Sequence, residues 1–359
     1  EGIANHTRRS VQRNLGSVLT YSPVAKKEEL LNAVAYLVRR LMENTDGENF
    51  LSRCFNINIE PEAWKEEKEK FLCALDQVSN LEHSSPRHKQ DRGLNEYNFL
   101  KKPNSIESFL PDSPTNFSLP ANQIWLKKEI LNESYDKERT PELIYLKIAG
   151  KKIEEKRHLL LCRDLSHKNR VIAQFQAANS EDIIRAIRFS HESEATKWDK
   201  DENYRRKVLN SVSMKIQKNR ASLIKCAMKN VGKGVADLDA EVSEAIDFVR
   251  YYPITLKYFR DRYPKIRYKK KGVVLVISPW NFPIAIPAGG IVAALVAGNR
   301  VIIKPSPYSL LSTWKIVKLF LEAGIPSSSL QFIPCEDKVA RHLTQNPMID
   351  HVIFTGSAY

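Results

Sequence analysis

The stretch Gly272 to Pro305, GVVLVISPWNFPIAIPAGGIVAALVAGNRVIIKP, constrains the fold of this chain more than any other. After Gly272 comes an unbroken apolar run, Val273 to Ile277, rich in β-branched residues, which suits a strand buried on both faces of a parallel sheet. Ser278 and Pro279 end that strand, and Trp280, Asn281, Phe282 and Pro283 read as a tight turn. Small and apolar residues from Ala285 to Ala297 predict a buried helix, closed by Gly298 as a left-handed C-cap. A second strand, Val301 to Ile303, ends on Lys304. Strand, turn, helix and strand make a βαβ unit, and ligands of such sheets collect at the C-terminal ends of the strands. Ser278, Trp280, Asn281 and Lys304 all fall there.

The chain has 359 residues, enough for a sizeable core and more than one domain. Its 56 Lys plus Arg outweigh 42 Asp plus Glu, for a formal charge of +14, so polyanions and anionic membrane surfaces are conceivable partners. The basic residues are nevertheless spread through the sequence, and the run Lys269 to Lys271 is short enough to be a solvated strand entry. The five cysteines, at 54, 73, 162, 226 and 335, make no CxxC or Cys/His spacing, so no metal site is expected and a reduced, cytoplasmic chain is. No apolar run approaches a membrane span, and no basic-then-apolar signal peptide opens the chain. Glu1 at the start, and FTGSAY directly after a strand at the end, read as a chain cut at both ends.

Near the start, Val18 to Val24 suggests a short strand and turn, and a helix is expected from about Lys26 to Asn44. Leu30, Val34, Leu37, Val38 and Leu41 form its apolar stripe. Tyr36, Arg39, Arg40 and Glu43 share the opposite face, where two guanidinium forks beside a phenol suit a carboxylate ligand; a solvated polar face fits the same spacing. Glu60 to Asn80 reads as a further amphipathic helix. From Leu81 to about Thr140 the composition shifts to Ser, Pro, Asn, Asp and charge, as in a connector, although Phe109, Phe117 and Trp125 call for packing against a neighbour. Strands follow at Leu159 to Cys162 and Val171 to Phe175, joined by the turn Ser166 to Asn169. Ser180 and Asp182 offer an N-terminal cap for the next helix. Further helical pattern runs from Val208 through Met228, and again from Glu241 to Tyr252. Beyond the βαβ unit come a helix Leu311 to Ala323, a strand Leu330 to Ile333, a helix Val339 to Leu343 and a strand His351 to Phe354.

The strings SPWNFP, AALVAGNRVIIKP and FTGS, set in this order of elements, resemble the N-terminal half of an aldehyde dehydrogenase. The string YSPV followed by AYLVRRLMENTDGENFL resembles the last strand and helix of the proline dehydrogenase barrel in the bifunctional proline utilization A flavoenzymes. The resemblance implies an α/β fold: an aldehyde-dehydrogenase-type NAD-binding parallel sheet with flanking helices, preceded by the end of a (β/α)8 barrel. Residues 1–53 would be the barrel remnant, 54–142 connecting helices and linker, and 143–359 the NAD-binding part of the dehydrogenase. The activities implied are FAD-dependent oxidation of proline to pyrroline-5-carboxylate and NAD-dependent oxidation of glutamate semialdehyde to glutamate.

Residue by residue, the resemblance gives Tyr36, Arg39 and Arg40 to proline, with Tyr21 as a further contact and Glu43 to FAD, most of whose site would lie upstream. NAD falls to Ser278, Pro279, Trp280, Lys304, Thr355, Gly356 and Ser357, with the last residues delivering backbone donors to the phosphates. Asn281 would serve the oxyanion hole, while Phe282 and Glu244 would face the semialdehyde. From spacing alone, Asn281 reads as a turn residue and Lys304 as a solvated charge, and it is the full strings that reverse this. Three places depart from the family pattern: Asn230 stands where Glu is frequent, Pro307 where a carboxylate three after Lys304 is frequent, and PCEDKVARHL where a Gly-rich loop is common. The nucleophilic cysteine and basic glutamate normally follow FTGS, so this chain alone is expected to be inactive. Cys335 reads as an ordinary loop residue. In the intact protein a homo-oligomer and peripheral membrane contact are expected, and nucleic-acid binding by this segment is not. Two other readings remain, an aldehyde dehydrogenase of different specificity and a non-catalytic adaptor with the same fold.

Overall fold

The computed structural model describes residues 5–16, 26, 30–31, 33–34, 38, 61–78, 90–94, 105–132 and 140–356. They fall into two compact units, residues 1–83 and 84–359. The first contains α1 (Asn5–Leu15) and α2 (Pro61–Gln77), with Leu30, Leu31, Ala33, Val34 and Val38 helical between them. Of the expected buried stripe, Leu30, Val34 and Val38 are exposed, and Leu37 and Leu41 lie outside the described residues. The carboxylate-binding candidates Tyr21, Tyr36, Arg39, Arg40 and Glu43, and the strand before them, lie outside the described residues.

The second unit opens on the segment read as a connector, which is anchored by charge as well as by aromatics. After α3 (Pro120–Trp125) and a short π-helical turn, Trp125 and Ile130 enter the main core, and Phe109 meets Tyr251 edge to face at 5.0 Å. Strands β1 (Glu142–Ile144), β2 (Lys147–Ile148), β3 (Lys151–Lys152), β4 (Leu159–Asp164) and β5 (His167–Gln176) follow. The β4–β5 turn is tighter than its sequence suggests: β5 already begins at His167, and register shifts near Arg163 absorb the difference. Helix α4 (Ser180–Glu192) is capped by Asn179 rather than Ser180, in a reciprocal box with Asp182. Asn179 Oδ1 accepts from the Asp182 amide at 2.8 Å, a geometry open only to the residue before the first turn.

Helices α5 (Lys197–Lys200), α6 (Glu202–Lys218), α7 (Arg220–Val231) and α8 (Val235–Arg262) build a helical layer. Gly232, at φ 71°, ends α7 in the left-handed conformation that only glycine adopts at little cost. Helix α8 runs ten residues past Tyr252, where the sequence suggests a stop. Pro253 is buried inside it, so packing of α8 on α6, α7 and the next helix outweighs the lost hydrogen bond.

The central unit then forms as its pattern requires: β6 (Val273–Ile277), α9 (Ala285–Val296) and β7 (Arg300–Lys304). They are followed by α10 (Leu310–Glu322), β8 (Leu330–Phe332), α11 (Asp337–Thr344) and β9 (His351–Phe354). The four strands lie parallel in the order β8-β7-β6-β9. Alternation of side chains sorts β6 between two layers. Val274 and Val276 join Ala288, Ile291, Val292 and Leu295 of α9, while Val273 and Leu275 join Ile183, Ala186 and Ile187 of α4. With both faces covered, the polar groups of this sheet emerge at its C-terminal edge.

Candidate functional site

Backbone register sets the edge. Ile277 pairs with Lys304 on one side and Phe354 on the other. Beyond these pairs, the Ser278 amide donates to the Lys304 carbonyl at 3.4 Å and the Thr355 amide to the Ile277 carbonyl at 3.1 Å. Three residues singled out from sequence, Ser278, Lys304 and Thr355, are thereby brought side by side, with Gly356 next along the chain. Ser357 lies outside the described residues.

Ser278 is buried, and its hydroxyl has no hydrogen-bond partner among the described residues. A buried hydroxyl left unpaired is costly, and one at the end of a parallel strand is well placed to receive a polar ligand atom. Lys304 is also largely buried, and its ammonium donates to Asp337 Oδ1 at 2.5 Å. Its cation is therefore neither solvated nor free, as spacing alone would have allowed. Pro307 opens a short 3-10 turn ahead of α10 and brings no charge to the pair.

The turn carrying Trp280, Asn281 and Phe282 is exposed, but it is held from behind. Lys233, just after α7, donates through Nζ to the Asn281 carbonyl at 2.9 Å and stands 4.0 Å from the Phe282 ring centroid. The same ammonium is paired with Glu241 of α8. The other oxygen of Glu241 accepts from the Ile284 and Ala285 amides, at 3.1 and 3.3 Å, and so satisfies orphan donors at the start of α9. One buried carboxylate thus ties α8, the Lys233 loop and the turn together, and Asn281 itself is exposed. Glu244, one helical turn along α8, is exposed. Desolvation and the charge of Glu241 raise its carboxyl above the ordinary value, against the opposing pull of Lys233.

Lys233, Glu241 and Asp337 were not singled out from sequence. For Glu241 a signal existed, because it shares the apolar stripe Leu238, Val242, Ala245 and Val249 of α8, and a charge there needs a partner. Asn230, where the family often has Glu, is structural: Oδ1 accepts from the Ser312 amide and hydroxyl at 3.1 and 3.0 Å, fastening α7 to α10. No nucleophile emerges among the described cysteines of this unit. Burial pushes the thiols of Cys226 and Cys335 up to about 11 and that of Cys162 up to about 12, which keeps them protonated. A cavity of about 440 Å³, lined among others by Arg170, Lys225 and Lys315, lies between β5, α7 and α10 and shares no residue with the strand-end site. Among the described residues no helix is long and apolar enough to cross a membrane, and no group of three or more His, Cys, Asp or Glu could hold a metal ion.

A parallel sheet covered by helices on both faces, with polar groups converging at its C-terminal edge, defines an α/β protein whose candidate ligand site lies at that edge. Residues 162–359 match the aldehyde dehydrogenase family, and the chain belongs to it. It is 31% identical over 255 residues to a 1-pyrroline-5-carboxylate dehydrogenase of Bacillus cytotoxicus, covering 68% of this chain and 48% of that protein. To the bifunctional protein PutA of Salmonella typhimurium it is 27% identical over 343 residues, or 94% of this chain and 24% of that one. Among solved structures, proline utilization A from Bdellovibrio bacteriovorus, inactivated by N-propargylglycine, aligns with a TM-score of 0.64 and 26% identity over 96% of this chain and 34% of that chain. A Thermus 1-pyrroline-5-carboxylate dehydrogenase with bound NAD aligns at 0.61 and 25% identity, covering 69% and 50% of the two chains. The chain thus spans half or less of the length of the relatives it matches.

Proposed function

We propose that this chain forms the NAD-binding part of a glutamate semialdehyde (1-pyrroline-5-carboxylate) dehydrogenase, joined in the intact protein to an FAD-dependent proline dehydrogenase. The observation that carries the dehydrogenase reading is the convergence of the unpaired Ser278 hydroxyl, the Lys304 ammonium and the Thr355–Gly356 backbone on one sheet edge. In this reading Lys304 and Ser278 hold the dinucleotide, Pro279 and Trp280 flank it, and Thr355, Gly356 and Ser357 meet its phosphates. The bound nicotinamide supplies a hydride acceptor. Asn281 offers its side-chain amide to the oxygen of the substrate carbonyl, and Phe282 and Glu244 border the substrate.

The high thiol values of Cys162, Cys226 and Cys335 support the further reading that the nucleophile is contributed by none of them. For the flavin half, support comes from the similarity to the bifunctional protein PutA over 94% of this chain and to a proline utilization A structure over 96% of it. Tyr21, Tyr36, Arg39 and Arg40 are its proline ligands, and Glu43 its FAD contact. A reduced cytoplasmic setting, a homo-oligomer and peripheral membrane contact belong to the same reading.

Isothermal titration of the 359-residue chain with NAD tests the cofactor half. We expect binding that weakens about tenfold or more in Lys304→Ala, with no turnover of pyrroline-5-carboxylate. Absence of NAD binding overturns the cofactor assignment, and turnover by this chain overturns the placement of the thiol. For the intact protein, proline-dependent reduction of a dye acceptor must be present; its absence removes the flavin half.

A further inference from the structure

We propose that Asp337 reads the adenosine ribose of the bound dinucleotide and makes this site accept a free 2′-hydroxyl and reject a 2′-phosphate. This rests on the dinucleotide reading above and adds a determinant to it. The observation is an asymmetric ion pair. Lys304 ends β7 with its side chain only 8% exposed, whereas its partner Asp337 is 79% exposed. A buried cation therefore presents an open carboxylate to whatever lies over the sheet edge.

The fold explains why the two meet. Strands β7 and β8 are neighbours with Ile303 opposite Phe332, and the Ile333 amide donates to the Ile303 carbonyl at 2.9 Å. The chain leaving β8 through Pro334, Cys335 and Glu336 runs beside Lys304, and Asp337 is the first residue of α11. In doubly wound sheets an acidic residue at a strand end commonly accepts from a ribose 2′-hydroxyl, while an added arginine accommodates a 2′-phosphate. Here β7, the second strand of the unit, ends in a lysine, and the acid is delivered from the end of the third.

The chemistry of the pair fits a vicinal diol. One ammonium proton is taken by Asp337, which leaves donors for ribose oxygens, and the carboxylate keeps lone pairs for hydroxyl protons. A phosphate meets a different balance. The charge of Lys304 is already compensated by Asp337, and Lys338, the other cation at the start of α11, is paired with Glu336 at 2.9 Å. His158 stands 3.5 Å from Glu336, and the next cation of α11, Arg341, lies a full helical turn further from the start of the helix. A 2′-phosphate would add about −1.5 to −2 charges beside an exposed carboxylate. At a few ångströms and partial solvation, that repulsion corresponds to about tenfold or more in affinity.

The test is parallel titration of the chain and of Asp337→Asn and Asp337→Ala with NAD and NADP, followed by calorimetry. Adenosine 5′-monophosphate and adenosine 2′,5′-bisphosphate serve as fragments that report this corner alone. The unaltered chain should prefer NAD by about tenfold or more, and both variants should bring the ratio to within about threefold by weakening NAD and strengthening NADP. The fragment pair should follow the same order, and the preference should shrink as salt is raised. Far-UV circular dichroism and a urea transition check folding, because both changes leave the buried Lys304 ammonium without its carboxylate, and Asp337→Asn, which keeps an acceptor, is the milder of the two. If NAD binds and the variants leave the NAD to NADP ratio unchanged, Asp337 is not the determinant and the cofactor reading stands. If neither dinucleotide binds the unaltered chain, the cofactor reading falls and this proposal with it.

Discussion

Replacing Glu241 with Gln should destabilise the second unit by about 2–4 kcal/mol and loosen the Ser278–Ala285 segment. The carboxylate is 2% exposed, pairs with Lys233 and accepts from two amides at the start of α9. Gln preserves an acceptor for those amides but removes the charge opposite a lysine that is only 19% exposed. Breaking a fully buried pair costs about 3–5 kcal/mol, and the lower range here reflects the partial exposure of Lys233 and its second acceptor, the Asn281 carbonyl. Urea unfolding of Glu241→Gln, Lys233→Met and the double variant gives the cycle, with NAD titration run on each. The two single costs should exceed the double by a coupling of about 1–3 kcal/mol, since removing both charges leaves neither stranded. Additive costs, or a loss below about 1 kcal/mol for Glu241→Gln, would refute the view that this pair holds the turn.

Two further outcomes follow from charges buried elsewhere in the unit. Arg220→Met leaves Asp112 and Asp239 without the guanidinium that bridges them, at 9% and 1% side-chain exposure, and should cost about 3–5 kcal/mol in the urea transition; a change below about 1 kcal/mol sinks the bridging role. Asp247 has its carboxyl pushed up to about 6, first by desolvation and then by the charge of Asp112, against the Asp112 amide that it accepts at 2.8 Å. Its folded value exceeds the unfolded one, so the native state holds the extra proton and stability falls as pH rises from about 4 to about 6. Asp247→Asn should remove that slope and gain about 1–3 kcal/mol at neutral pH, and stability curves of the two proteins that stay parallel from pH 4 to 8 would contradict it.

The parts of the molecule legible in the sequence are those fixed by neighbours in the chain. The apolar run Val273–Ile277 is buried on both faces because nothing else suits five such residues in a row, and Gly298 closes α9 at φ 82° because the chain must reverse there. Ser278 and Lys304 could be placed at strand ends on the same grounds. Long-range partners were not legible. Asp337 reaches Lys304 across 33 positions, and Lys233 reaches the Asn281 carbonyl across 48. Local rules also competed where two residues suited one place: Asn179 took the cap for which Ser180 is as good a former, and packing carried α8 through Pro253. The docking of residues 112–115 was invisible for the same reason. The Thr115 amide and hydroxyl donate to Asp239 at 2.5 and 2.6 Å, 124 positions away, and composition alone shows only a polar connector.

These two kinds of placement separate binding from stability at the site. Ser278 and Lys304 are positioned by main-chain register, through hydrogen bonds that persist whatever their side chains are. Ser278→Ala removes only an unpaired hydroxyl, so it should weaken a dinucleotide without weakening the fold. The Asn281 turn is positioned by a side-chain pair from another helix, so a change at Glu241 must move stability and binding together. A substitution that alters binding alone therefore touches the ligand, and one that alters both touches the support. Asp337 falls between the two classes, since its removal leaves the buried Lys304 ammonium unpartnered and costs some stability, and the NAD to NADP ratio is the quantity that separates its contribution to the ligand from its contribution to the fold.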